Sequence, residues 1–87
     1  MPDAYRVEIV PSARRELEAL HRPALQRVVS ALRSLSDDPR SGDCRKLVGS
    51  QSRYRRRAGN YRIVYEIIDE SKVVRVYRIR HRSNVYR

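Results

Sequence analysis

Tryptophan and phenylalanine are absent from this 87-residue sequence, cysteine and methionine occur once each, and only Lys46 and Lys72 are lysines. Each scarcity removes a class of explanation. With Cys44 alone no intrachain disulfide can form, and its setting in a polar stretch gives no reason to expect a nucleophile. His21, Cys44 and His81 are too few and too scattered for a ligand set, so no metal and no cofactor is expected. Three glycines and four prolines are too few for a disordered linker. No stretch approaches the roughly 18 apolar residues of a membrane span, and Met1-Pro2-Asp3 opens without a basic segment leading into an apolar run. A cytoplasmic protein with no membrane partner is expected, folded as a single domain over residues 1–87.

Acidic residues are also scarce, but only in one half. From Met1 to Cys44 seven arginines face seven acids; from Arg45 to Arg87 thirteen basic residues face only Glu66, Asp69 and Glu70, so the whole formal charge of +10 lies in the second half. Charge kept for solubility has no reason to segregate in this way. A polyanionic partner does give one, because neutralising phosphates releases counterions and supplies affinity independent of sequence. Eighteen of the 20 basic residues are arginine; a genome rich in G and C produces that bias without selection for guanidinium chemistry, so not every arginine is read as a phosphate clamp.

The hydrophobic pattern predicts a strand over Tyr5 to Val10, then a helix from Pro11 to about His21 with Ala13, Leu17 and Leu20 at helical spacing. Pro23 opens a second helix, whose stripe of Leu25, Val28, Val29, Leu32 and Leu35 ends near Asp37-Asp38-Pro39. A polar loop from Arg40 to Asp43 leads to a short strand at Arg45 to Val48. Arg53 to Arg57, Tyr61 to Ile68 and Lys72 to Ile79 read as further strands, with Gly59-Asn60 and residues 69–71 as their turns and His81 to Arg87 as a polar tail. The fold class is α+β: an N-terminal strand, a two-helix hairpin, then an antiparallel meander of three or four strands, with the helices packed on one sheet face and the other face open.

Strand alternation then places the cations. A two-residue turn at Gly59-Asn60 pairs Ala58 with Tyr61 and Arg57 with Arg62, so Arg53, Arg55, Arg57 and Arg62 share a face. A three-residue second loop pairs Ile68 with Lys72 and Arg62 with Arg78, bringing Arg78 and Arg80 to the same side. The other side holds Tyr61, Ile63, Tyr65, Ile67, Val73, Tyr77 and Ile79, together with Arg75, an arginine without an explanation on an apolar face.

Three segments, YRVEIVPSARRELEAL from Tyr5 to Leu20, GNYRIVYEIID from Gly59 to Asp69, and RHRSNVY from Arg80 to Tyr86, together resemble RelE-type toxins of the RelE/ParE superfamily of bacterial toxin-antitoxin modules. The resemblance implies a two-layer RelE-like microbial RNase fold. It also implies the activity: a metal-independent endoribonuclease, or mRNA interferase, that inhibits translation by cleaving mRNA in the A site of the 30S ribosome, beside ribosomal RNA. A cognate RelB-like antitoxin holds such a toxin inactive. By position, Arg62 matches the arginine expected on the scissile phosphate, Arg80 the second phosphate-stabilising arginine, and Tyr86 the tyrosine that stacks on or orients substrate. Arg53 and Arg55 fall where lysines are expected, one of them as general base, with Arg57 beside them. Arginine stays protonated at physiological pH and is a poor base. His81, which titrates near neutrality when unperturbed, and Tyr86, among cations, are the two other candidates for proton transfer. Arg78 and Arg82 are expected to meet RNA. The competing readings are a ParE-like inhibitor of DNA gyrase and a non-catalytic RNA-binding module.

Overall fold

A computed structural model describes residues 4–40, 42, 44–49 and 52–84. Strand β1 (Arg6–Ile9) leads into helix α1 (Pro11–Glu18) and helix α2 (Arg22–Asp37). Four strands follow, β2 (Cys44–Lys46), β3 (Arg53–Ala58), β4 (Tyr61–Ile68) and β5 (Val73–His81), and a 3-10 turn at Arg82–Asn84. The sheet order is β1-β5-β4-β3-β2, with β1 parallel to β5 and the other pairs antiparallel. The expected α+β class and element order hold, and the meander has four strands.

Helix α1 begins on Pro11, and helix α2 carries Pro23 as its second residue, after Arg22. Val10, directly before Pro11, is pushed into extended backbone with ψ 155°, and both prolines lie in a first helical turn, where the missing N–H costs nothing. Helix α1 stops at Glu18, short of His21, with Ala19 as its C-cap. The α2 stripe of Val28, Ala31, Leu32 and Leu35 is buried against Ile63, Tyr65, Ile67, Val74, Val76 and Ile79 of the sheet, with Ala13 from α1. Burial of each large aliphatic side chain stabilises the fold by roughly 1.5–3 kcal/mol. Tyr65, fully buried, donates its phenolic O–H to the Pro39 carbonyl at 2.8 Å and lies 3.0 Å from Cys44 Sγ. Burial, then the contact with Cys44, pushes its pKa up.

The β3–β4 register is the expected one, with Ala58 opposite Tyr61 and Arg57 opposite Arg62. The β4–β5 register is not. Ile68 pairs with Val73 rather than Lys72, because Lys72 lies in the turn at φ 57°. That extra turn residue reverses the facing of residues 73–76, so Val74 and Val76 take the helix-facing positions that alternation assigned to Val73 and Arg75, although Val73 stays buried. A register shift at Val64/Tyr65 then takes up Tyr77 as a bulge, after which Val64 pairs with Arg78, Ile63 with Ile79 and Arg62 with Arg80. Two one-residue departures cancel. Arg78, Ile79 and Arg80 therefore keep their expected faces, although Arg62 faces Arg80 and not Arg78. Arg75 and Tyr77 move to the open face, and the anomalous core arginine disappears.

Candidate nucleic-acid interface

The open face of the sheet has two chemically distinct ends. At one end Arg45 of β2, Arg55 and Arg57 of β3, and Arg62 of β4 line a concave cavity of about 110 Å³. The hairpin at Gly59-Asn60, where Gly59 has φ 63°, sets Arg57 against Arg62, while β2 pairing brings Arg45 beside Arg55. Arg80 sits directly across from Arg62 on β5, and Arg78, opposite Val64, is exposed. Like charges placed opposite each other in a sheet cost roughly 0.2–1 kcal/mol per pair. An anion in the cavity would remove that cost.

The other end is charge-balanced. Glu66 faces Arg53 on β3 and Arg75 on β5. Its carboxylate accepts hydrogen bonds from Tyr77 at 2.9 Å and Ser52 at 3.0 Å, and these bonds hold its pKa below the usual carboxylate range. The Arg53 guanidinium lies 4.4 Å from the Tyr77 ring centroid, a cation-π distance. Arg75 pairs with Glu8 of β1 at 3.2 Å, and interactions with Tyr77 and then Glu8 raise its pKa. Cationic character is thus concentrated at the cavity end.

Arg80 is held from outside the sheet. Its Nε donates to Glu16 Oε2 of α1 at 2.8 Å, while Glu16 Oε1 accepts the Ile79 backbone N–H at 2.7 Å. The carboxylate meets only the inner edge of the guanidinium, and the Nη1/Nη2 edge has the geometry for bidentate pairing with a phosphate.

Of the residues singled out in the sequence, Arg55, Arg57 and Arg62 are brought together in the cavity, with Arg80 adjoining. Arg53 is at the charge-balanced end. His81, proposed for proton transfer, is on the opposite face: it pairs with Tyr61, whose ring it meets edge-on at 5.4 Å. The alternation that aims Arg80 outward turns its neighbour toward the helices. The Nδ1 of His81 accepts the Ser83 backbone N–H at 3.3 Å and lies 3.0 Å from Ser83 Oγ, an arrangement that pins the Arg82–Asn84 turn. Arg82 is exposed on that turn, its N–H donated to the Asn60 carbonyl at 2.8 Å. Tyr86 lies outside the described residues. Arg45 was missed; the signal that could have found it is the pairing of its short strand with Arg53 to Arg57, which puts Arg45 beside Arg55.

No cluster of three or more His, Cys, Asp or Glu suited to a metal occurs among the described residues. All four residues that line the cavity are arginines, which donate and cannot accept a proton near neutral pH. The cavity can bind anions and stabilise negative charge, but its lining offers no proton acceptor.

The chain is similar to proteins of known family. The model described as the ParE toxin of type II toxin-antitoxin system, parDE, matches residues 7–86. Toxin RelG of Mycobacterium tuberculosis is 39% identical over 87 residues, covering 95% of this chain and 97% of its own length. The toxin in the archaeal RelE–RelB complex from Pyrococcus horikoshii superposes with a TM-score of 0.82 at 26% identity, over 94% of this chain and 99% of that one. The isolated RelE toxin of E. coli gives 0.80 at 30% identity, over 95% and 92%.

Proposed function

The chain belongs to the RelE/ParE superfamily, the toxins of type II toxin-antitoxin modules, and on that premise we propose that it is a ribosome-dependent endoribonuclease that cleaves mRNA in the A site. The observation that carries the proposal is the cavity formed by Arg45, Arg55, Arg57 and Arg62, with Arg80 across the strand from Arg62.

In the proposed reaction the ribose 2′-oxygen attacks the adjacent phosphorus and the 5′-oxygen of the next nucleotide leaves, giving a 2′,3′-cyclic phosphate and a 5′-hydroxyl. Negative charge builds on the non-bridging phosphoryl oxygens as the new P–O bond forms. Arg62 and Arg55 meet those oxygens, Arg80 joins them through its outer edge, and Arg57 and Arg45 hold a neighbouring phosphate. Arg53, Arg78 and Arg82 lie along the approaches. Donors fixed where charge develops are worth about 10²–10³ in rate apiece in a water-poor site. The 2′ proton needs an acceptor and the leaving oxygen a donor. With His81 turned to the far face, Tyr86 donates the proton to the leaving 5′-oxygen and stacks on the substrate base, while the 2′ proton passes to solvent. No metal or cofactor enters. A RelB-like antitoxin is the cognate partner, as the pairing of RelE with RelB in the Pyrococcus horikoshii complex suggests.

Primer extension on mRNA being translated in the presence of the protein tests this reading. Cuts confined to A-site codons and abolished by Arg62→Ala support it; intact message with folded wild-type protein sinks it. The matched family's description names ParE, so gyrase inhibition is the second reading. Loss of gyrase supercoiling at low toxin concentration, with message left uncut, would favour it.

A further inference from the structure

Strand β1 covers the edge of β5 only as far as Val76, whose carbonyl accepts the Val10 N–H at 3.0 Å. Beyond that point α1 lies along β5, and Glu16 substitutes for a neighbouring strand. One carboxylate oxygen accepts the Ile79 N–H at 2.7 Å and the other accepts Arg80 Nε at 2.8 Å. The side chain of Glu16 is 24% exposed and that of Arg80 38%, so the pair is partly shielded from water and less screened than a surface ion pair.

We propose that Glu16 is the positioning residue of the phosphate-binding arginine Arg80; the role rests on the endoribonuclease reading above. Arg80 stands opposite Arg62, and two facing guanidiniums repel each other into divergent rotamers. A long side chain free to swing must also be immobilised each time substrate binds, which lowers affinity and rate. Glu16 counters both effects. It is anchored to the backbone of the residue next to Arg80, so its distance from the guanidinium is set by the sheet. Because it binds Nε, it fixes the plane of the guanidinium and leaves the Nη1/Nη2 edge for a phosphate.

A role in charge balance alone predicts the opposite experimental outcome. Glu16→Gln keeps an oxygen for the Ile79 N–H and removes one negative charge. If Glu16 only offset cations, the variant would bind RNA more tightly and cleave at least as fast. If Glu16 positions Arg80, single-turnover cleavage in the A-site assay falls about tenfold, as expected for losing a charge-assisted hydrogen bond. The decisive readout is a double-mutant cycle. Glu16→Gln should have little further effect in the Arg80→Ala background, since a residue acting through Arg80 has nothing left to position.

Thermal melts check that each variant folds. An unchanged or faster E16Q protein, or an equal loss with and without Arg80, overturns the proposal. Where wild-type protein cuts no message, the endoribonuclease reading fails by itself. The cycle is then read from affinity for an oligoribonucleotide carrying one 2′-deoxy sugar. Arg80→Ala should weaken binding at least threefold more in the wild-type background than in E16Q, and equal losses count against the proposal.

Discussion

Arg62 and Arg80 stand directly opposite each other on neighbouring strands, and Arg62 is flanked on its other side by Arg57. A sheet that sets three arginines side by side on adjacent strands concentrates positive charge in one place.

Arg62→Ala should therefore separate stability from activity. Removing one arginine from the solvent-facing side of the sheet is expected to change stability by no more than about 1 kcal/mol. Cleavage should fall about 100-fold or more. Urea unfolding and the A-site assay, run on the same preparation, check both halves.

RNA binding by the cavity should respond to salt in proportion to the phosphates it contacts. For single strands the logarithm of the binding constant falls with the logarithm of salt at a slope of about −0.7 per phosphate. Arg45→Ala and Arg55→Ala should each flatten that slope by roughly 0.7, measured by fluorescence anisotropy with a short oligoribonucleotide. A slope unchanged by both substitutions would place the RNA elsewhere.

His81 should prove dispensable for the chemistry. Its ring packs on Tyr61 across the sheet from the arginines, so His81→Gln is expected to keep cleavage within about threefold of wild type and to leave the pH–rate profile unshifted near neutrality. The loss should appear instead in faster amide exchange over the Arg82–Asn84 turn, where His81 accepts the Ser83 N–H.

Acid should destabilise the protein through two carboxylates. Glu66, bonded by Tyr77 and Ser52, and Asp69, bonded by Arg40 and Tyr5, have pKa values below their ordinary 4.5 and 3.8. Groups depressed in the folded state stabilise it fully above those ordinary values. Below them the unfolded chain takes up protons first, and the contribution drains away as pH falls through the folded pKa. Urea midpoints measured downward from about pH 6 should fall across this window, and less steeply for Glu66→Gln or Asp69→Asn than for wild type.

The parts of this molecule that were legible in the sequence are those governed by short-range chemistry. Pro11 and Pro23 mark helix starts because a proline ring dictates local backbone. Gly59-Asn60 gave the β3–β4 register because a two-residue turn permits only one. The β4–β5 register depended on Lys72 adopting a left-handed conformation and on Tyr77 being set aside as a bulge, and neither leaves a mark on hydrophobic alternation. Since the two departures cancel, Arg78 and Arg80 were placed on the correct face through an incorrect pairing, while Arg75 and Tyr77 were misplaced. The role of Glu16 was invisible for a different reason: it looked like one more exposed position on a helix, and its partners are 63 and 64 residues away.

Those separations bear on when the arginine face is assembled. The parallel pairing of β1 with β5 and the clasp of Glu16 on Ile79 and Arg80 join the first described elements to the last strand. Contacts so distant in sequence form late, because a long loop must close before they return any energy. During synthesis α1 and the arginines of β3 and β4 emerge while β5 is still inside the ribosome. The arginine face is therefore completed only once β5 has joined the sheet, so its assembly is tied to the longest-range contacts of the fold.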